Sequence, residues 1–238
     1  DDAVDEADTR RGIATISKLW GHNTAVVVGD YIFAKSATLV CETDNIRVIK
    51  KFTETIMDLA SGQLNELSLA YSLSQTKDSY LNCITLKTAS LFETACESGA
   101  ILSGADEELI NVFKYFGRNL GIAFQIIDDI LDVDGSQLQT GKPIGQDLTH
   151  GIITLPSLLA INKSEGENPI SHMFTNGYSQ SLLDECMEFV QDKDVLEECY
   201  QIARDYSDKA LGALNILESN RYKESLEELV GYVINRHS

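Results

Sequence analysis

The chain has 238 residues, of which 43% are apolar, and a formal charge of −18. That charge excludes nucleic acid as the main partner, since phosphate backbones are held by Lys and Arg, and it disfavours adsorption to anionic membranes. The 5 cysteines are odd in number and contain no CxxC, which excludes a disulfide framework or a Cys-based zinc site and predicts reduced, buried, cytosolic thiols.

The chain opens with an acidic cluster, Asp1, Asp2 and Asp5, followed by Arg10 and Arg11. "TAVVVGDYIF" is the only β-prone run, and it also suits a buried helix. "IRVIKKFTETIMDLASGQLNEL" predicts a helix, and "YLNCITLK" leading into "TASLFETACESGAILS" predicts another, rich in small residues. The clearest helix spans Ala105 to Val133. Its apolar residues recur at three and four, and acidic residues follow "GAD" in the first turn. "GSQLQTGKPIGQDLTHG" and "KSEGENPISHMFTNGYS" predict loops. From Ser179 onward three amphipathic helices are expected, in "SLLDECMEFVQD", "VLEECYQIARDYSDKALGALNIL" and "SLEELVGYVINR". Only 3 prolines occur, and no apolar run is read as long enough to cross a bilayer. The expectation is one all-α domain over residues 1–238, with no signal peptide and no internal boundary.

The chemistry concentrates in repeated aspartate spacing. Asp128, Asp129 and Asp132 repeat the i, i+1, i+4 pattern of Asp1, Asp2 and Asp5. On a helix those positions fall at about 0°, 100° and 40°, so the three carboxylates share one face. A single acidic triplet is ordinarily a solvated face. Two copies, each followed by cations (Arg10 and Arg11, then Lys142), call for another explanation. Like charges repel, and among apolar neighbours they need compensating cations. Hard carboxylate oxygens suit Mg²⁺, which often keeps one or two carboxylates and fills its sphere with substrate phosphates. The pattern therefore suggests two Mg²⁺-binding walls around one diphosphate, closed by basic residues. An EF-hand fails at "DVDG": with Gly135 as the sixth residue of the loop, Ile130 and Gly141 fall where ligands are required. No Walker sequence is present.

"DDAVDEADTRRG", "LKTAS", "GIAFQIIDDILDV" and "TGKPIGQDLTHGIITLP" resemble, in order, the motifs of the trans-isoprenyl diphosphate synthases, or polyprenyl synthetases. The resemblance covers essentially the whole chain. It implies a bundle of long antiparallel helices around a central cavity, usually homodimeric and cytoplasmic, with the aspartate motifs facing each other across the cavity mouth. It also implies Mg²⁺-dependent 1′-4 condensation of isopentenyl diphosphate with an allylic diphosphate to give a longer all-trans prenyl diphosphate.

By the same resemblance, Asp1, Asp2, Asp5, Asp128 and Asp132 are metal ligands, supported by Asp129. Lys87, Lys142 and Arg10 contact the allylic diphosphate, and Arg11 contacts that of isopentenyl diphosphate. Thr88 and Gln125 turn oxygen dipoles toward the developing cation. Asp147 lies close to the second metal cluster. The family normally carries further helices upstream of the first motif, which bind isopentenyl diphosphate and set the cavity floor, so the chain reads as lacking that portion. Ile152 stands where short-chain relatives carry lysine. With the short spacing in the first motif, this leans toward a medium or long product, which could pass to a membrane. The alternatives are a non-catalytic or partner-dependent subunit of a heteromeric synthase, which tends to lose an acidic motif, and a terpene cyclase, which usually replaces the second.

Overall fold

The computed structural model describes residues 3–4, 7–10, 12–134, 144–164 and 166–236. The fold is all-α apart from one minimal hairpin. The chain divides into two compact units, Asp1–Thr53 and Glu54–Ser238.

In the first unit, strands β1 (Thr9–Arg10) and β2 (Ile13–Ala14) pair antiparallel. Gly12 turns the chain between them at φ 76°, where a side chain would be strained. Thr15 caps α1 (Ile16–Trp20) by accepting from the Lys18 backbone N–H. Next comes α2 (His22–Cys41), which absorbs "TAVVVGDYIF" as helix, though none of its residues is buried. At 20 residues, with a mean hydropathy of 1.4 over an 18-residue window, α2 is long and apolar enough to cross a bilayer. This corrects the expectation that no such run exists: Gly29, Asp30 and Lys35 interrupt the sequence, but one helix spans them. Asp30 and Lys35 would each cost about 3 kcal/mol near a bilayer centre, which argues against a span. Phe33 stacks on Phe52 at 6.2 Å. Cys41 is exposed, unlike the buried thiols expected; Cys83, Cys186 and Cys199 are buried, and all five are free.

Helix α3 (Ile46–Leu69) runs into the second unit. There α4 (Lys77–Ile84) begins with a Thr76–Ser79 capping box. It passes through a π-helical turn, Thr85–Ala89, into α5 (Ser90–Leu102). Helix α6 (Glu107–Asp134) is the axis of this unit. Its first turns are amphipathic. Its second half buries Ile126, Ile127 and Ile130, each at most 1% exposed, while Asp128 and Asp134 stay exposed. Helix α5 packs along one side of it and α11 (Lys193–Ala213) along another.

The short helices α7 (Gln146–Thr149), α8 (Leu155–Lys163), α9 (Pro169–Asn176) and α10 (Gln180–Val190) precede α11, and α12 (Arg221–Ile234) follows it. Helix α9 stands where the sequence predicts a loop. Asn168 and Ser171 form a capping box, Pro169 takes the first turn, and Ile170 and Met173 are buried. Four polar residues among eight hide that apolar contact from a periodicity reading. Most of the other predicted loop, residues 135–143, lies outside the described residues.

Close helix approach sets the core. A Cβ added at Gly121 would lie 2.6 Å from the Ala89 Cα, whereas one at Gly99 would meet nothing within 4 Å. Gly121→Ala should therefore destabilise by about 1–3 kcal/mol through overpacking. Gly99→Ala should be neutral or stabilise by up to about 1 kcal/mol through helix propensity. Urea denaturation of the two variants measures the difference; equal midpoints would refute close packing at Gly121.

Candidate active site

The second aspartate motif ends α6. Asp128 is exposed, Asp132 half-buried and Asp129 buried at 4% exposure. The shared helix face expected from the spacing thus becomes a gradient from solvent into the core.

Asp129 is the most constrained of the three. Its Oδ2 accepts from the Tyr80 hydroxyl at 2.6 Å and its Oδ1 from Gln125 Nε2 at 2.7 Å. The Gln125 Oε1 accepts in turn from the Thr88 hydroxyl, also at 2.6 Å. A chain of donors runs Thr88 to Gln125 to Asp129, with Tyr80 closing it from the far side. Because Thr88 spends its proton on Gln125, its oxygen lone pairs are left for another partner. Burial pushes the Asp129 carboxyl up to about 7; Tyr80 and Gln125 oppose that shift, and Asp128 and Asp132 add to it. Tyr80 is raised well above its ordinary value, first by burial and then by Asp129.

The π-helical turn puts Lys87 and Thr88 at this site, since one wide turn between α4 and α5 re-aims consecutive side chains. Lys87 Nζ donates to Glu66 Oε2 at 2.6 Å. Asp128 Oδ1 accepts from Arg236 Nη2 at 3.1 Å, and that guanidinium lies 4.9 Å from the Phe124 ring centroid. Beyond α6, the Asp132 carbonyl accepts from the Gly145 N–H at 2.9 Å, and its Oδ2 from the Asp147 N–H at 3.4 Å. Gly145 has φ 73°, so the chain returns to Asp132 through a left-handed residue. Loss of hydration, then Asp132, Asp129 and Glu66, hold the half-buried Asp147 carboxyl well above its usual range; Lys87 opposes them.

The second unit thus gathers Lys87, Thr88, Gln125, Asp128, Asp129 and Asp132. Arg10 is exposed in β1 of the first unit. Asp1, Asp2, Asp5, Arg11 and Lys142 lie outside the described residues. Sequence reasoning missed Glu66, Tyr80 and Arg236. Tyr80 stands seven residues before Lys87, a helical repeat that could have flagged it; Arg236 gave no local signal.

Among the described residues, no group of three or more acidic, His or Cys side chains converges to hold a metal. The donor chemistry nevertheless fits Mg²⁺. Asp128 and Asp132 offer hard oxygens one helical turn apart, and Mg²⁺ needs only one or two carboxylates when waters and phosphates complete its sphere.

Removing the Tyr80 hydroxyl leaves a buried carboxylate short of a donor. Tyr80→Phe should cost about 1–3 kcal/mol. The control is Tyr200→Phe, which removes a 3.3 Å bond to exposed Asp134 and should change stability by less than about 0.5 kcal/mol. Denaturant midpoints decide; equal shifts would mean that Asp129 does not depend on Tyr80.

Known proteins share this fold over their common length. The polyprenyl synthetase family model matches residues 1–190. Solanesyl-diphosphate synthase 2 of Oryza sativa subsp. japonica is 35% identical over 99% of the chain, which spans only 58% of that protein. Heptaprenyl diphosphate synthase component 2 of Bacillus subtilis is 33% identical over 98% of the chain and 67% of its own length. The crystal structure of a Caulobacter crescentus polyprenyl synthase, complexed with calcium and isoprenyl diphosphate, superposes with TM-score 0.95 at 32% identity, covering all of this chain and 73% of that one. With a family match running through both aspartate motifs and a fold shared along the full chain, the protein belongs to the polyprenyl synthetase family.

Proposed function

We propose that the chain is the catalytic part of a polyprenyl diphosphate synthase, a prenyltransferase that joins isopentenyl diphosphate to an allylic diphosphate. Residues 1–238 serve as one synthase domain on this reading, supported by a family match that runs through both compact units. The observation that carries it is the hydrogen-bonded chain from Thr88 through Gln125 to Asp129, set between Lys87 and the carboxylates of Asp128 and Asp132.

The allylic C1–O bond breaks and its electron pair leaves with the diphosphate. The double bond of isopentenyl diphosphate then attacks C1, and a proton is lost. Mg²⁺, bound through Asp128 and Asp132 and through Asp1, Asp2 and Asp5, would neutralise leaving-group charge. Lys87, Lys142 and Arg10 hold the allylic diphosphate, and Arg11 holds that of the second substrate. Thr88 and Gln125 turn fixed oxygen dipoles toward the carbon where positive charge develops, with no reorganisation needed as it forms. Asp129 locks that pair, each of its oxygens accepting one hydrogen bond, and supports the metal ligands beside it.

The working form is proposed as a homodimer without a membrane span. A partner-dependent form is the second reading, favoured by the similarity to a protein named as a component of heptaprenyl diphosphate synthase.

Asp128 is exposed and pairs only with Arg236 among the contacts described for it, so its loss should spare the fold. In the full-length protein, Asp128→Ala should cut kcat by about 10²-fold or more, with the unfolding midpoint moving by less than about 0.5 kcal/mol. Calorimetry with inorganic diphosphate should show Mg²⁺-dependent binding to the parent protein and a marked loss in the variant. Unaltered turnover and binding would remove Asp128 from the metal site.

A further inference from the structure

Lys87 has a partner that the proposed chemistry leaves unused. Glu66 Oε2 accepts from Lys87 Nζ at 2.6 Å and from Gln63 Nε2 at 3.0 Å. The pair is sheltered, with side-chain exposures of 31% for Lys87 and 16% for Glu66. The backbone enforces it as well. A Cβ at Gly62 would lie 2.6 Å from the Lys87 backbone N, so α3 and the π-helical turn touch main chain to main chain. Glu66 follows Gly62 by four residues on α3, hence on the same face, and arrives beside Lys87.

A lysine has a long, flexible stem whose rotamer freedom is lost on being fixed. Its ammonium has three donors, and Glu66 takes one, leaving two for a ligand. Asp129, Asp132 and Asp147 are further carboxyl groups in the same region, and Lys87 acts electrostatically on Asp147. Without a fixed partner, the ammonium would be drawn to whichever carboxylate was nearest.

We infer that Glu66 is a positioning residue: with Gln63 bracing it, it holds the Lys87 ammonium in place to receive the diphosphate of the allylic substrate. The inference deepens the proposed function and rests on its assignment of Lys87 to that diphosphate.

The test is a double-mutant cycle on the full-length protein, read by calorimetric titration with inorganic diphosphate at fixed Mg²⁺. Lys87→Gln should weaken binding about tenfold or more, and Glu66→Gln by about threefold to tenfold. The double variant should bind no worse than Lys87→Gln alone. In turnover, Glu66→Gln should raise KM for the allylic substrate and leave KM for isopentenyl diphosphate unchanged. Gln63→Met, which keeps both charges, should show a smaller loss that also disappears without Lys87; it keeps the test open if Glu66→Gln folds poorly.

Equal losses from Glu66→Gln with and without Lys87 would overturn the inference, because Glu66 would then act on the fold or on the ligand directly. Unchanged or tighter binding in Glu66→Gln, with Lys87→Gln still weak, would overturn it and leave the assignment of Lys87 standing. Unchanged binding in Lys87→Gln would overturn both.

Discussion

A carboxylate buried in an apolar helix bundle must be given donors, and the second unit is arranged around that requirement at Asp129. Two donors reach it, from Tyr80 on α4 and Gln125 on α6. Meeting the need ties three elements together: Tyr80 anchors α4, Gln125 orients its amide, and the amide orients Thr88 on the π-helical turn. The polar chain holds oxygen atoms at fixed places among Ile126, Ile127 and Ile130, where misplaced dipoles would be costly. Stability and chemistry then draw on the same bonds. Asp128 is exposed and Asp132 half-buried beside that network.

Small residues make this geometry possible. Gly121 lets α6 lie against α5, and Gly62 lets α3 reach the turn that bears Lys87. Neither glycine has a positive φ, so the constraint is distance, not backbone conformation. The wide turn at Thr85–Ala89 supplies the offset that presents Lys87 and Thr88 together.

Much of this was legible in the sequence. The 3.6-residue period of α6 and the three C-terminal helices are plain, because long amphipathic helices record their buried face in every turn. The spacing of Asp128, Asp129 and Asp132 was equally readable, and so was its kinship with the family motif. Their unequal burial was not, since it depends on α4 and α11, distant in sequence. Glu66 and Tyr80 escaped for the same reason: each acts across 21 or 49 residues, and no local pattern reports a tertiary hydrogen bond. Helix α9 escaped because its short run mixes polar caps with two buried side chains. Helix α2 misled because its apolar residues lie on every side, a pattern that suits a buried helix, yet none of them is buried.

The most direct measurement is a product assay on the full-length protein with Mg²⁺, labelled isopentenyl diphosphate and allylic diphosphates of increasing length. Products are dephosphorylated and separated by chain length. A ladder of linear polyprenols ending at one dominant length is expected. Cyclic hydrocarbon, or no turnover with any primer, would contradict chain elongation by this protein alone.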